Sequence, residues 1–128
     1  MLNGRTLDGQ AMDWKAIDRE ALEELIAEEL AAATDEERAL FARTAVTPSK
    51  WQLSPWGDLG GGFWVMAVMD DRALWYNDIE DGFNASCFIA LGSIPSTEYR
   101  CNQDELRWAL PALAGKLQGR FGPPKPVS

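Results

Sequence analysis

From Trp75 to Asn84 the chain reads WYNDIEDGFN. Trp75, Tyr76, Asn77, Asp78, Glu80, Asp81 and Asn84 together carry groups that suit a metal ion, a sugar or a basic protein surface. Hard cations take several carboxylate and amide oxygens from a tight turn containing glycine, and this segment offers both. The spacing fails. With Gly82 in the sixth position, Ile79 falls where the third ligand belongs and Phe88 where the closing bidentate glutamate should stand. Glycoside chemistry needs two carboxylates across a sugar, and Asp78, Glu80 and Asp81 do lie near Trp64, Trp75 and Tyr76 in sequence, yet no spacing motif supports it. A basic protein partner uses the same residues more economically, because aromatic anchors and desolvated charges dominate such interfaces.

Other chemistries are excluded by residue type. Histidine is absent, which removes Ser-His and Cys-His nucleophile pairs and the commonest zinc ligand. Cys87 and Cys101 do not supply a finger-type spacing for zinc, and in a reducing compartment they stay unpaired. Gly57 to Gly62 invites a phosphate-loop reading, but the Lys-Ser/Thr pair is missing and a strand follows where a helix is required. No catalytic residue, metal or cofactor is assigned.

The charge balance points the same way. A formal net charge of -8 repels phosphate backbones and anionic membranes, and attracts a basic protein. Nucleic acid and membrane are therefore poor partners. The opening MLNGRTLDGQ has no charged n-region followed by an apolar run, so the expectation is a soluble cytoplasmic protein. The sequon Asn84-Ala85-Ser86 is empty without a secretion signal.

The elements that must position the acidic segment follow from periodicity. From Asp13 to Ala33, apolar residues recur at three and four, predicting a long helix with a glutamate-rich solvated face. Thr34 with Glu37 fits a capping box, so a short second helix runs through Phe41 and makes a helical hairpin. After Pro48, Trp51 and Leu53 alternate with polar residues, which marks a strand. Phe63 to Met69 is apolar in both alternating sets, as in a strand covered on both faces, and Asp70-Asp71-Arg72 connects it tightly to Ala73 through Tyr76. The acidic segment then forms a loop, and Ser86 to Leu91 makes a third strand.

Asn102 with Glu105 repeats the capping-box spacing ahead of Leu106, Leu110, Leu113 and Leu117, with Gly119 as the C-terminal cap. Pro111 inside this pattern predicts a kink or a break. Trp108 lies roughly opposite Leu106 on the wheel, so it packs on a second element or is exposed, where it or a sheet edge could support self-association.

At 128 residues the chain fits one α+β domain, residues 1–128, with flexible ends at 1–12 and 120–128. The expected architecture is an N-terminal helical hairpin, an antiparallel sheet of about three to five strands, and a C-terminal helix packed on one face.

The run WYNDIEDGFN with the later EYRCNQDEL resembles small, uncharacterised bacterial α+β proteins, some of them similar to immunity proteins of toxin systems. The resemblance covers about the C-terminal half of the chain and brings no catalytic motif. It implies a cytoplasmic protein, monomeric or weakly dimeric, that neutralises a basic toxin or nuclease by stoichiometric binding through acidic residues. From the residues themselves, the expectation is a non-catalytic protein-binding domain in which Asp78, Glu80 and Asp81 contact lysine or arginine while Trp75 and Tyr76 anchor the centre. The alternative is a small carbohydrate-binding or glycan-processing domain built on the same acidic and aromatic loop.

Overall fold

The computed structural model describes residues 15–115. Asp13, Trp14, Leu117, Gly119 and the expected flexible ends lie outside the described residues. Within them, three α-helices accompany a four-stranded antiparallel sheet in the simple order β1-β2-β3-β4, which is the expected α+β architecture.

Helix α1 (Arg19–Ala31) begins later than the periodicity predicts. The Asp18 side chain accepts the Ala21 amide at 2.8 Å and so supplies the N-cap, leaving Lys15 to Asp18 non-helical. Leu22 and Ile26 are buried, Leu25 and Leu30 are half-buried, and Glu20, Glu23, Glu24 and Glu28 face solvent. Helix α2 (Asp35–Thr44) starts on the capping box read from the sequence. Thr34 Oγ1 accepts the Glu37 amide at 3.1 Å and Glu37 Oε1 accepts the Thr34 amide at 2.8 Å.

Strand β1 (Ala45–Trp51) follows α2 directly, so the strand begins before Pro48. It is an edge strand, where a residue without an amide donor is tolerated. The neighbouring β2 (Phe63–Met69) and β3 (Arg72–Asn77) form the expected hairpin. A register shift between Val65 and Ala67 turns Met66 and Ala67 toward the same face, because a bulge inserts one residue into the alternation.

The third strand of the sequence reading is displaced. Strand β4 is Gly82–Cys87, paired to β3 from Asn77↔Gly82 through Arg72↔Cys87, and the chain leaves the sheet before Ile89 and Leu91, which are 93% and 77% exposed. The acidic loop therefore shrinks to a four-residue turn, Asp78 to Asp81. Helix α3 (Leu106–Leu113) contains Pro111 and stops two residues beyond it. Ala114 and Gly115 donate to the Pro111 and Ala112 carbonyls at 3.0 Å each in tightened last-turn bonds. The Asn102–Glu105 capping box does not form, and Glu105 occupies the N-cap without a side-chain capping bond, its Oε1 lying 3.4 Å from Arg107 Nε at the surface. Trp108 is half-buried beneath the Arg107 guanidinium, 5.1 Å from its ring.

Both faces of the sheet are covered. On one, Leu22 and Ile26 of α1 and Leu106, Ala109, Leu110 and Leu113 of α3 pack on Met66, Leu74, Tyr76 and Phe83. On the other, irregular chain before β2 and after β4 supplies Leu53, Ile94, Phe88 and Tyr99 to a cluster around Trp51, Phe63, Val65 and Trp75. The Trp56 ring stacks on Tyr99 at 4.1 Å and closes this second layer. Such double coverage forces β3 to be apolar in both alternating sets.

Candidate functional site

The expected partner-binding residues divide sharply by exposure. Trp75 and Tyr76 are 0% and 7% exposed, so neither reaches a partner as a surface anchor, and the earlier assignment is corrected for both. The reason is the sheet: Trp75 faces the aromatic layer against Phe63 at 4.9 Å, and Tyr76 faces the helices against Phe83 at the same spacing. Trp75 Nε1 donates to Ser86 Oγ at 3.0 Å, which satisfies its one polar group. Trp64 is also engaged, its indole donating to the Ile17 carbonyl at 2.8 Å with the Lys50 ammonium 5.3 Å from its ring. The aromatic platform required by the carbohydrate alternative is thus occupied by packing.

Asn77 and Asn84 are also corrected, because both are fully buried and hold the chain to itself. Asn77 Oδ1 accepts the Ile79 and Glu80 amides at 3.0 and 3.2 Å, shaping the turn. Its Nδ2 donates to the Tyr99 hydroxyl at 3.0 Å and to the Arg100 carbonyl at 2.9 Å. Asn84 Oδ1 accepts the Asn102 amide at 3.1 Å while its Nδ2 donates to the Asn102 carbonyl at 3.1 Å. With Ser86 Oγ donating to the Glu98 carbonyl at 2.6 Å, these side chains bind residues 98–102 along the open edge of β4. The outward backbone of β4 is met by the same segment, the Asp104 carbonyl accepting the Phe83 amide at 2.9 Å and Glu98 Oε1 accepting the Cys87 amide at 3.0 Å, which hinders pairing by a foreign strand. The buried Asn84 is also inaccessible as a glycosylation acceptor.

Gly82 shows how close the strap lies. A Cβ at this position would collide with the Asn102 carbonyl oxygen and the Gln103 Cα, both backbone atoms unable to yield locally. Gly82→Ala is therefore expected to cost about 2 kcal/mol and to lower amide-exchange protection selectively along residues 98–104. Exchange unchanged in that segment would refute the close packing.

The three acidic residues of the turn behave differently from one another. Asp78 Oδ2 accepts the Ile17 amide at 2.8 Å, while its Oδ1 is buried with no hydrogen-bond partner among the described residues. Burial raises its carboxyl above the ordinary value, with nearby Lys50 and the Ile17 amide opposing that rise. Glu80 Oε1 accepts from the Gln103 amide at 3.4 Å. Asp81 is exposed, adopts a left-handed backbone with φ of 60°, and accepts from the Tyr76 hydroxyl at 3.4 Å.

Asp81 opens onto a strongly acidic hollow, a cavity of about 100 Å³ between α1, the β3–β4 turn and the start of α3. Its rim is Glu29, Asp81, Asp104 and Glu105, with Gln103, and its apolar floor is Leu25, Tyr76 and Phe83. No lysine or arginine lines it. Glu29 Oε1 accepts the Leu106 amide at 2.8 Å, so α1 caps α3 across 77 residues and fixes the two helices around the hollow. The Tyr76 phenol reports the local field. Burial first, then the charges of Asp81, Asp78 and Glu29, push its pKa up to about 12.

Sequence reading missed Glu29, Asp104 and Glu105. Glu29 was read with the solvated face of α1, although its spacing of four from Leu25 places it at the margin of the apolar stripe. Glu105 was read only as a capping residue. A second hollow of about 160 Å³, between α1, α2 and β1, is lined by Ile26, Phe41, Ala45, Val46, Pro48 and Met66, with Glu23 as its one charged group. Glu23 is already paired with Arg19 at 2.9 Å.

Among the described residues, no group of three or more cysteine, aspartate or glutamate side chains is arranged to hold a metal, and no helix is long and apolar enough to cross a membrane. Both thiols are free. Comparison with protein-family models, with curated proteins and with solved structures found no match. The site itself must therefore carry the functional argument.

Proposed function

We propose that the protein is a non-catalytic binding domain of the cytoplasm that captures a basic protein, in the manner of an immunity-type inhibitor of a toxin or nuclease. The observation carrying this reading is the hollow at the junction of the β3–β4 turn and α3, where Glu29, Asp81, Asp104 and Glu105 surround Leu25, Tyr76 and Phe83. A lysine or arginine side chain has the matching form, an apolar stem ending in a cation. Its stem packs on the floor while its head makes charge-assisted hydrogen bonds to the rim, the more so for the planar fork of arginine. Of the residues first considered, Asp81 lines the rim of the hollow and Tyr76 its floor, Glu80 adjoins it, and Trp75, Asn77 and Asn84 support it from within.

The net charge of -8 adds long-range steering toward a basic surface, but such steering is not specific to one face. The test must separate the two. With a short arginine-containing peptide as the probe, the double variant Asp81→Asn/Glu105→Gln is expected to weaken binding about tenfold, the worth of roughly 1.4 kcal/mol. The control Glu20→Gln/Glu24→Gln removes the same charge from the exposed face of α1 and is expected to change affinity less than about twofold at physiological salt. Equal loss in both variants, measured by titration calorimetry, would reduce the hollow to part of a diffuse field and refute the site.

A further inference from the structure

In the segment entering α1, Ile17 packs against the helix-side core and is tied to the sheet through both of its backbone polar groups. The Ile17 amide donates to Asp78 Oδ2 and the Ile17 carbonyl accepts from the Trp64 indole, each at 2.8 Å, although the partners lie 61 and 47 residues away. One side of this clamp is titratable, and its second oxygen, Asp78 Oδ1, is sealed from solvent without a donor among the described residues. An ionised carboxylate with a buried, unpartnered oxygen carries a desolvation cost that a neutral carboxyl largely escapes. Proton uptake at Oδ1 leaves Oδ2 as a carbonyl acceptor, so the bond to Ile17 survives the titration in a weaker, uncharged form. The relief of desolvation, the largest influence, outweighs that loss and the similar preference of the Asp78 backbone amide for the ionised form.

We propose that Asp78 is a proton-sensitive latch, holding the peptide of Ile17 and the entry to α1 against the sheet more tightly when its carboxyl is protonated than when it is ionised. The charged and titratable groups around it set the balance. Lys50 on β1 favours the ionised form, Asp81 within the turn opposes it, and Tyr76 on β3 is neutral throughout because its own pKa is pushed up to about 12. On the entering segment Ile17 contributes no charge, only its backbone bonds and an apolar side chain packed on the core, and Lys15 is exposed. Desolvation is the largest influence on the Asp78 carboxyl and raises its pKa above 3.8.

The sign follows from linkage. The latched state binds a proton more readily than an open state in which Asp78 meets water, so latching strengthens as pH falls through the raised value toward 3.8 and weakens as pH rises through the same window. The opening constant should grow by up to about tenfold for each unit of the shift. Because α1 also carries Leu25 and Glu29, the latch governs the helix forming one wall of the acidic hollow, but the inference does not depend on what that hollow binds.

Nuclear magnetic resonance of the full chain tests this directly. The Asp78 carboxyl carbon is expected to titrate above the ordinary value of 3.8, the Ile17 amide proton shift should follow the same midpoint, and Ile17 exchange protection should fall as pH rises through it. Asp78→Asn should abolish that pH dependence. Trp64→Phe, which removes only the indole donor, should loosen the segment at every pH while keeping the dependence. An Asp78 midpoint at or below 3.8, or an Ile17 protection factor independent of pH, would overturn the proposal. These two readings on the unmodified protein decide it even if Asp78→Asn fails to fold.

Discussion

Trp75→Ala is expected to destabilise the protein by about 4 kcal/mol, among the largest single-residue effects in the chain. The indole has 0% exposure and touches Phe63 and Tyr99 at centroid distances of 4.9 and 6.0 Å. Truncation leaves a cavity that neighbours close only partly, because Trp75 stands on β3, an interior strand whose backbone is paired on both sides. Ser86 also loses the indole donor to its oxygen, a contribution near 1 kcal/mol, though its bond to the Glu98 carbonyl remains. Against a total stability on the order of 10 kcal/mol for a domain of this size, the loss is a large fraction. Urea unfolding should show a lowered midpoint with an unchanged slope. A variant within about 0.5 kcal/mol of the parent would contradict the burial, and it would return Trp75 to the surface role that the sequence suggested.

Asn77→Ala should cost about 3 kcal/mol for a different reason. Asn77 is 0% exposed and makes four hydrogen bonds: two accepted from the turn amides of Ile79 and Glu80, two donated to the Tyr99 hydroxyl and the Arg100 carbonyl. Removal strips partners from groups at the edge of the core, each costing about 1–3 kcal/mol where water cannot replace them. The turn should loosen together with residues 98–102, and amide-exchange protection should fall in both places at once. Asn77→Asp gives a sharper signature. It retains the acceptor for Ile79 and Glu80 but, when ionised, sets a carboxylate against the Arg100 carbonyl. Its folded pKa must therefore rise, so its stability deficit should grow as pH rises from about 4 toward 7. A deficit constant over that range would show that the Nδ2 contacts contribute little.

The capping box of Thr34 and Glu37 was legible because both partners lie within one helical turn, and it formed as read. The pairing of Phe63–Met69 with the following strand was legible because a tight connection fixes its neighbour. The similar spacing at Asn102 and Glu105 misled, since Asn102 is taken by Asn84 from β4 and α3 is capped by Glu29 from α1. Strand β4 was placed too late for the same reason. Gly82 and Asn84 look like turn residues in isolation, yet a glycine and an amide are what the close approach of residues 102–103 demands.

The acidic segment illustrates the limit most clearly. Its polar residues looked available because polarity in a sequence usually means contact with water. Asn77 and Asn84 instead bond the distant backbone of Arg100 and Asn102, Asp78 holds Ile17, and only Asp81 and Glu80 remain beside a hollow whose other carboxylates come from α1 and the start of α3. The run WYNDIEDGFN and the run EYRCNQDEL, which drew notice together, are the two sides of one strap rather than a ligand loop and a helix start.

The amino-acid sequence by itself determined the α+β class, the helix periods, the α2 cap, the β2–β3 hairpin and the negative field, because each depends on neighbours along the chain or on composition alone. Tertiary structure decided which face of each strand was covered, where β4 began, and which carboxylates converged. Those outcomes depend on contacts between residues tens of positions apart, and a polar side chain becomes a ligand, a cap or a core staple according to the partner that the folded chain brings to it.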